Sequence, residues 1–361
     1  MKSHHLIIAA FAAVVYNFLT IQTGDPDVYE AGFIISFVLM VIFTVASELL
    51  RPKPEIEDAR PKGLGDFNFP TATEGRVVPI VWGKVMMEAP NLIWYGGVST
   101  TPIKNKIKSG PFGIKTKYVT VGFRYHVGMQ VALCRGVIDS VHSFYVGDEQ
   151  MWIGDQTTTI DVDEEEVYGG DKNGNGGIQM KLDVYTGTDT QAASTFLANY
   201  QDSLVGTDRV PRYTGTCYIV ARDLDAAAVD GLGAYIGNST TIRPWKFEIS
   251  RFPALFSGQA GVQNVINGVD CNPINVLYEI LTDTDWGLGF AAADLDVGAG
   301  SSFLAASGTC VTEGLGFSMV LAKVLEAKDM IIELERHIDG VLFLDQRTGI
   351  WKIKMARADY D

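Results

Sequence analysis

The first part of the chain contains two long apolar runs that are separated by a short acidic link. The runs cover Leu6–Ile21 and Gly32–Leu50, and the link covers Thr23–Glu30. Each run approaches the roughly 20 residues that a helix needs to cross the apolar part of a bilayer. The pattern therefore predicts an apolar helical hairpin over residues 1–50. A proline-containing segment of mixed charge follows over residues 51–69 and predicts a linker.

Three arrangements of the hairpin are compatible with the sequence. Basic residues lie outside both ends of the predicted hairpin, and the only charged residues in the link are acidic. This distribution is typical of a membrane hairpin with both ends in the cytoplasm. Leu6–Val15 also resembles the apolar region of a signal peptide, although a second apolar run follows it instead of an A-x-A cleavage site. Alternatively, copies of the chain bury these stripes inside an assembly. The candidates for membrane or lumen contact are aromatic: Phe11, Phe18, Phe33, Phe37 and Phe43.

From Pro70 onward the pattern changes to short apolar runs that predict strands. Val77–Trp82 is the first strand; Gly83 and Lys84 interrupt it, and Val85–Met87 resumes it. Ala89–Asn91 predicts a turn before the next strand, Leu92–Tyr95. Further strands are predicted at Tyr118–Tyr125, Met129–Cys134, Val137–Val146, Tyr213–Arg222, Pro244–Ile249 and Phe317–Ala322. Trp245 and Phe247 lie two residues apart and are therefore predicted to face the core together.

Helical spacing appears mainly in the later part of the chain. The clearest helix begins with Asn272 as its N-cap and Pro273 at its first position, and it ends near Thr282. Other helices are predicted at Gln191–Leu204, Ser301–Cys310 and Ala327–His337. Gly340–Asp345 and Ile350–Met355 predict a hairpin around the turn at Gln346–Gly349. We expect an α+β, β-rich chain with a β-rich part at residues 70–260 and an α+β part at residues 261–361.

Charge is unevenly distributed in this acidic chain, whose net charge is −14. An acidic surface argues against phosphate binding, suits a wall past which DNA slides without adhering, and is equally typical of an ordinary soluble surface. Asp161–Glu166 predicts an exposed acidic loop. Ser99–Lys117 predicts a long polar loop whose lysines form either a solvated hairpin tip or a contact with an acidic neighbouring subunit: Lys104, Lys106, Lys108, Lys115 and Lys117.

Candidate chemistry changes this picture little. The four cysteines, Cys134, Cys217, Cys271 and Cys310, are far apart and predict buried free thiols. A calcium-like loop begins at Asp171, but its twelfth position is Leu182 instead of a bidentate Glu, so we interpret it as a glycine-rich turn. Gly287 and Gly289 fit a loose dinucleotide fingerprint that follows a helix, where a strand is required. We therefore predict no catalytic residue, no metal ligand and no cofactor, although two positioned acids of a glycosidase would not be evident from sequence.

Several segments carry a resemblance to a known family. PTATEGRVVPIVWG at residues 70–83 and PNLIWYGG at residues 90–97 match blocks that open the tail hub proteins of long-tailed bacteriophages, also called tip attachment or host-specificity proteins. NPINVLYEILTDTDWGLG at residues 272–289 resembles a second block of that family. The motif residues are Glu74, Gly75, Arg76, Pro79, Gly83, Asn91, Trp94, Tyr95, Gly96, Trp245, Asn272, Pro273, Trp286, Gly287 and Gly289.

The resemblance covers about residues 68–361 and implies a structural virion protein at the phage tail tip, made in the host cytoplasm. It implies a homotrimer of mixed β-barrel or sandwich domains with small helices. The implied partners are the distal tail ring, the tape measure and fibre proteins. A role in gating genome passage is also implied, without specific nucleic-acid binding. The hairpin is then expected in the tail lumen, from which it contacts a host membrane at ejection. The alternative is a membrane-anchored cell-wall hydrolase or binding protein of the tail tip.

Overall fold

A computed structural model of the chain describes residues 37–38, 40–42, 58–68, 75–109, 115–170, 176–202, 210–224, 233–260 and 263–358. The prediction of an apolar hairpin falls mostly outside these ranges, as do the calcium-like turn at residues 171–175 and the individual residues Phe11, Phe18, Phe33, Phe43 and Glu74. Phe37 lies in a helical stretch and is 60% exposed. Within the described ranges, no helix combines the length and the apolar character that crossing a membrane requires.

The described residues are rich in strands and contain a few small helices. The strands are β1 Ile80–Glu88, β2 Asn91–Ser109, β3 Lys115–Arg135, β4 Ser140–Val146, β5 Glu149–Gln156, β6 Thr159–Glu164, β7 Ile178–Tyr185, β8 Thr216–Arg222, β9 Ala234–Tyr235, β10 Trp245–Arg251, β11 Val265–Ile266, β12 Asp270–Cys271, β13 Met319–Leu321, β14 Gly340–Asp345 and β15 Ile350–Met355. The helices are α1 Thr195–Asp202, α2 Pro273–Thr282, α3 Ser302–Glu313 and α4 Ala327–Ile338. The predicted α+β, β-rich class is confirmed.

The chain divides into two compact units, residues 1–60 with 102–122, and residues 61–101 with 123–361. The larger unit is built on a mixed sheet in the order β5-β4-β10-β1-β3-β8-β7-β6, to which β2, β9 and β13 also pair. Met151 of β5 and Ile160 of β6 come from the two ends of this order, yet they share one buried cluster with Phe144 and Phe247. The sheet therefore curls around a single apolar core.

Strand β1 corrects the predicted interruption at Gly83 and Lys84, because the strand continues through both residues. Ile80–Trp82 pairs with β13, and Gly83–Glu88 then pairs with β10. Gly83 has a φ of +75°, which a glycine adopts without steric cost. The break in the sequence pattern is therefore a change of strand partners, and not a gap between two strands.

The predicted polar loop at Ser99–Lys117 is also wrong, because β2 and β3 extend through most of it and pair with each other. β3 likewise runs unbroken where two strands were predicted. Lysine-rich composition indicates exposure to water, whereas the period-two alternation of these lysines is the signal of a strand.

In the smaller unit, the backbone N–H of Ala59 donates to the carbonyl oxygen of Thr120 at 3.0 Å.

The acidic run Asp161–Glu166 was expected to be a loop, but its first four residues belong to strand β6. Ile160 and Val162 are buried in the core, and the acids alternate with them on the exposed face. The prediction failed because this strand covers the core with only two apolar side chains. A six-residue strand with alternate acids resembles a charged loop when composition alone is considered.

A second core lies among the helices of the larger unit. It contains Leu277, Ile280 and Phe303 together with Ile80 and Trp82 from β1. The four predicted helices and the β14–β15 hairpin are present close to their predicted positions, and the hairpin strands have the predicted bounds. The prediction that Trp245 and Phe247 face the core together is confirmed, since both are buried.

Candidate functional site at the motif junction

Two of the sequence motifs meet at a buried point between β1 and α2. The indole Nε1 of Trp82 donates a 2.7 Å hydrogen bond to Oε2 of Glu279. Arg251, at the end of β10, donates from Nη1 to the carbonyl oxygen of Val81 at 3.0 Å and to Oε2 of Glu279 at 3.2 Å. Its Nη2 pairs with the other carboxylate oxygen. We call Trp82, Arg251, Glu279 and Trp286 the motif junction.

The charges at the motif junction are held by burial and pairing. Burial lowers the pKa of Arg251, but the hydrogen bond and the negative charge of Glu279 outweigh that effect and raise its pKa above the ordinary value. The guanidinium therefore stays charged. Because its planar fork engages both oxygens of Glu279, the pair fixes the orientation of α2 against the sheet.

The segment after α2 explains the WGLG part of the second motif. The Trp286 ring packs against Trp82 with centroids 5.9 Å apart. The backbone N–H groups of Leu288 and Phe290 donate to the last turn of α2, at the carbonyl oxygens of Ile280 (2.9 Å) and Leu281 (2.8 Å). A Cβ on Gly287 would lie 2.5 Å from the carbonyl oxygen of Ile280, so the close approach requires glycine. The segment after α2 thus provides hydrogen-bond donors for the last carbonyl groups of the helix and places Trp286 against Trp82.

The start of α2 is fixed by Asn272, as predicted. Its side-chain Oδ1 accepts from the backbone N–H of Ile274 at 3.0 Å, which is N-cap geometry. Its Nδ2 donates to the carbonyl oxygens of Gln263 (2.8 Å) and Ser307 (3.1 Å) and to the Ser307 hydroxyl at 2.9 Å. Asn272 is completely buried. It therefore joins α2 to α3 as well as capping α2, and Pro273 occupies the first helical position.

An apolar groove of about 250 Å³ opens beside the motif junction. Apolar side chains from three parts of the larger unit form its walls: Val77, Ile80, Trp286, Leu321, Val324 and Met330. Arg135 also lines the groove, and its Nη2 pairs with Asp285. Val324 is 86% exposed. Chemically, this lining suits the binding of an apolar side chain of a partner.

Other motif residues lie away from the junction. Trp94 packs against Phe196 and Tyr200 of α1, with ring centroids 6.4 Å and 5.3 Å away. Trp245 belongs to the core of the curled sheet. Six further motif residues also lie outside the junction: Gly75, Arg76, Pro79, Asn91, Tyr95 and Gly96. Of the four junction residues, only Trp286 is among the motif residues, while Trp94 and Trp245 pack at separate sites.

Sequence reasoning missed one arrangement of chemical interest, on β4, β5 and β10. The Nε2 of His142 lies 2.9 Å from the hydroxyl of Ser250, and its Nδ1 contacts the carboxylate of Asp155. This connectivity is that of a catalytic triad, which is recognised by geometry and not by sequence order. In a catalytic triad the aspartate is buried and the serine reaches the substrate. Here the opposite holds, because Ser250 is 3% exposed whereas the Asp155 side chain is 77% exposed. The hydroxyl is covered in this arrangement, which ties three strands together.

The cysteines are buried free thiols, as predicted. Cys134 lies opposite Cys217 across β3 and β8, and burial raises the pKa of Cys217. Burial also raises the pKa of Cys310, to about 12. Among the described residues, His, Cys, Asp and Glu side chains form no group that could hold a metal ion.

Comparisons with known proteins find similarity to solved structures only. No family model and no curated protein matches the chain. The chain is similar to a solved structure described as the virion of a native gene transfer agent particle, with 16% identity and a TM-score of 0.36. The match covers 92% of this chain and 65% of the neighbour. A similarity of this degree assigns no family to the chain.

Proposed function

We propose that this chain is a structural virion protein that forms the tail hub at the distal tip of a long phage tail. In this role it connects the tail tube, the distal ring and the tape measure to the fibre components, and it gates the passage of the genome. The hub begins near residue 70, and the preceding apolar segment lies in the tail lumen until ejection. The protein is made in the host cytoplasm and acts in the virion.

One observation carries the proposal: the contact of Trp82 with Glu279 and Trp286. The segments that resemble the hub family lie far apart in the sequence, yet Trp82 of the first packs against Glu279 and Trp286 of the second. Trp286 is a motif residue, whereas Trp82 and Glu279 occupy positions that the motifs leave open. A chance match of two short segments would not require them to pack together. The packing therefore supports the interpretation that the resemblance extends over a folded unit.

The surfaces of the larger unit support assembly with other chains. A homotrimer of hubs needs surfaces that bind other chains, and the groove beside the motif junction offers apolar side chains for this purpose. An acidic lumen would repel the phosphates of DNA, so the genome would pass without adhering. No specific nucleic-acid binding is proposed.

The assembly role can be tested in the phage or phage-like element that encodes the chain. Antibodies against the full chain should label one end of the tails in electron micrographs, and disruption of its gene should give tails without tips. The purified chain should form closed rings or trimers. A stable monomer that is absent from tails would refute the proposal.

The proposal also holds that the chain is not an enzyme, and this part has its own test. The full chain should release no soluble fragments from purified peptidoglycan. Turnover that is lost in both Ser250→Ala and His142→Ala would instead favour a cell-wall hydrolase of the tail tip. The same variants should leave incorporation into tails unchanged if the hub assignment is right.

A further inference from the structure

The hairpin arm, defined as residues 102–109 and 115–122 of β2 and β3, displays free positive charge. Lys104, Lys106 and Lys117 are exposed, and none of them forms an ion pair or a side-chain hydrogen bond with the described residues. Lys104 and Lys106 are two residues apart on β2 and so lie on the same face, about 6.6 Å from each other along the strand. The arm therefore exposes a row of lysine side chains to solvent.

The charge of the arm contrasts with that of the rest of the chain. Residues 89–138 contain seven Lys and Arg residues and no Asp or Glu. Because the net charge of the chain is −14, these seven positive charges leave −21 for all other residues. A second copy of this chain is therefore a strongly acidic partner for the arm. Separating the two signs in this way favours association between copies and steers their encounter.

Strand β6 carries the acidic counterpart. Asp161 and Asp163 are exposed and alternate with the buried Ile160 and Val162, and Glu165 follows in the turn. Asp161 lies 3.6 Å from Lys181, and Asp163 accepts a hydrogen bond from Gln179 at 2.7 Å, while both acids remain exposed to solvent. Within the described chain, β6 is the terminal strand of the sheet order, with β7 on one side only. Its exposed acids are accessible to another chain.

We propose that the lysine row of the hairpin arm binds the acidic strand β6 of a second copy of this chain. Lys104 and Lys106 are two positions apart on β2, and Asp163 and Glu165 are two positions apart at the end of β6 and in the turn after it, so each lysine can pair with one acid. The two surfaces differ, so the contact is head-to-tail and closes into a ring when the rotation permits. The inference rests on the proposed function only in requiring that copies of the chain assemble.

Charge reversal tests the contact in the full chain. The arm variant, Lys104→Glu with Lys106→Glu, should associate about tenfold more weakly than the unchanged chain at about 50 mM NaCl, and the difference should shrink at about 500 mM. The strand variant, Asp163→Lys with Glu165→Lys, should show a similar loss. Combining all four substitutions in one chain should restore association. Sedimentation velocity measures each of these, and thermal melting checks that every variant is folded.

A matched control reverses two exposed lysines that lie outside the arm, strand β6 and the groove, Lys62→Glu with Lys328→Glu, and should associate like the unchanged chain. Unchanged association of a folded arm variant would overturn the inference and leave the tail-hub proposal intact, provided that rings still form. The inference would also be overturned if the arm variant associated normally and was the only variant to lose binding to a DNA duplex or to anionic vesicles. A monomeric unchanged chain that is absent from tails would overturn both.

Discussion

The indole nitrogen of Trp82 and a carboxylate oxygen of Glu279 lie 2.7 Å apart, although 197 positions separate the two residues in sequence. The same carboxylate receives the guanidinium of Arg251. Glu279 therefore holds together a strand, the end of a second strand and a helix. Because all three side chains are largely removed from water, each depends on the others for its hydrogen bonds.

Replacing Glu279 by Ala should cost about 3–5 kcal/mol in the free energy of unfolding, because Arg251 would remain buried without its counter-charge. Glu279→Gln keeps an acceptor for Trp82 but loses the charge, and should have a smaller effect. Urea unfolding followed by tryptophan fluorescence would measure both. Glu333→Ala removes the partner of Arg336 from an exposed pair, and should change stability by about 0.5 kcal/mol or less. Similar losses for Glu279→Ala and Glu333→Ala would contradict this account of the junction.

Asn272 should tolerate neither Ala nor Asp. The Ala variant loses the N-cap and leaves carbonyl oxygens of Gln263 and Ser307 without their donor, so we expect a loss of about 2–3 kcal/mol. Asp preserves the cap oxygen but places a carboxylate against two carbonyl oxygens, and should be at least as damaging at neutral pH. Ser301→Ala, which removes only the cap of α3, should cost about 1 kcal/mol. Chemical unfolding ranks the three variants by their free energy of unfolding. If Asn272→Ala lost no more stability than Ser301→Ala, the buried contacts of Asn272 would contribute nothing.

The helices and the final hairpin could be predicted from local signals. Asn272 and Pro273 mark a helix start by backbone chemistry alone, and the apolar stripe after them has the helical period. The hairpin of β14 and β15 has a glycine-containing turn between two regular strands. Such signals are contained in a few neighbouring residues, so the three-dimensional context does not overrule them.

The candidate site could not be predicted in the same way, because its partners are distant in sequence. Nothing near Glu279 indicates that it accepts from Trp82, and nothing near His142 indicates Ser250 as its neighbour. The motif blocks identified Trp286 but gave no contact for it. Gly83 interrupted the strand pattern, and only the pairing of β1 with β13 and β10 shows that it changes strand partners.

Gly83 should resist substitution for two separable reasons. Ala at this position must adopt a positive φ, and its Cβ would lie 2.0 Å from the hydroxyl oxygen of Ser318. That hydroxyl donates a hydrogen bond to Asp270. We expect Gly83→Ala to cost about 2–4 kcal/mol, of which about 1 kcal/mol is the backbone term. Gly75→Ala has a similar φ and open space around it, so it should cost about 1 kcal/mol or less. Adding Ser318→Gly to Gly83→Ala should recover part of the loss, as measured by a double-mutant cycle.

The thiol of Cys310 should make the protein less stable at alkaline pH. Burial raises the pKa of Cys310 to about 12, whereas a thiol in the unfolded chain ionises near pH 8.5. Above about pH 8.5 the unfolded state therefore binds fewer protons than the folded state, and the free energy of unfolding falls as the pH rises, by about 2 kcal/mol at pH 10. Cys310→Ala should have a lower stability at pH 7 but a shallower decline toward pH 10, and urea unfolding at both pH values measures the difference. The thiols should also react with a disulfide reagent only after unfolding, because all four are buried. Parallel pH profiles for the two proteins, or rapid labelling of the folded chain, would show that the Cys310 thiol is accessible to water.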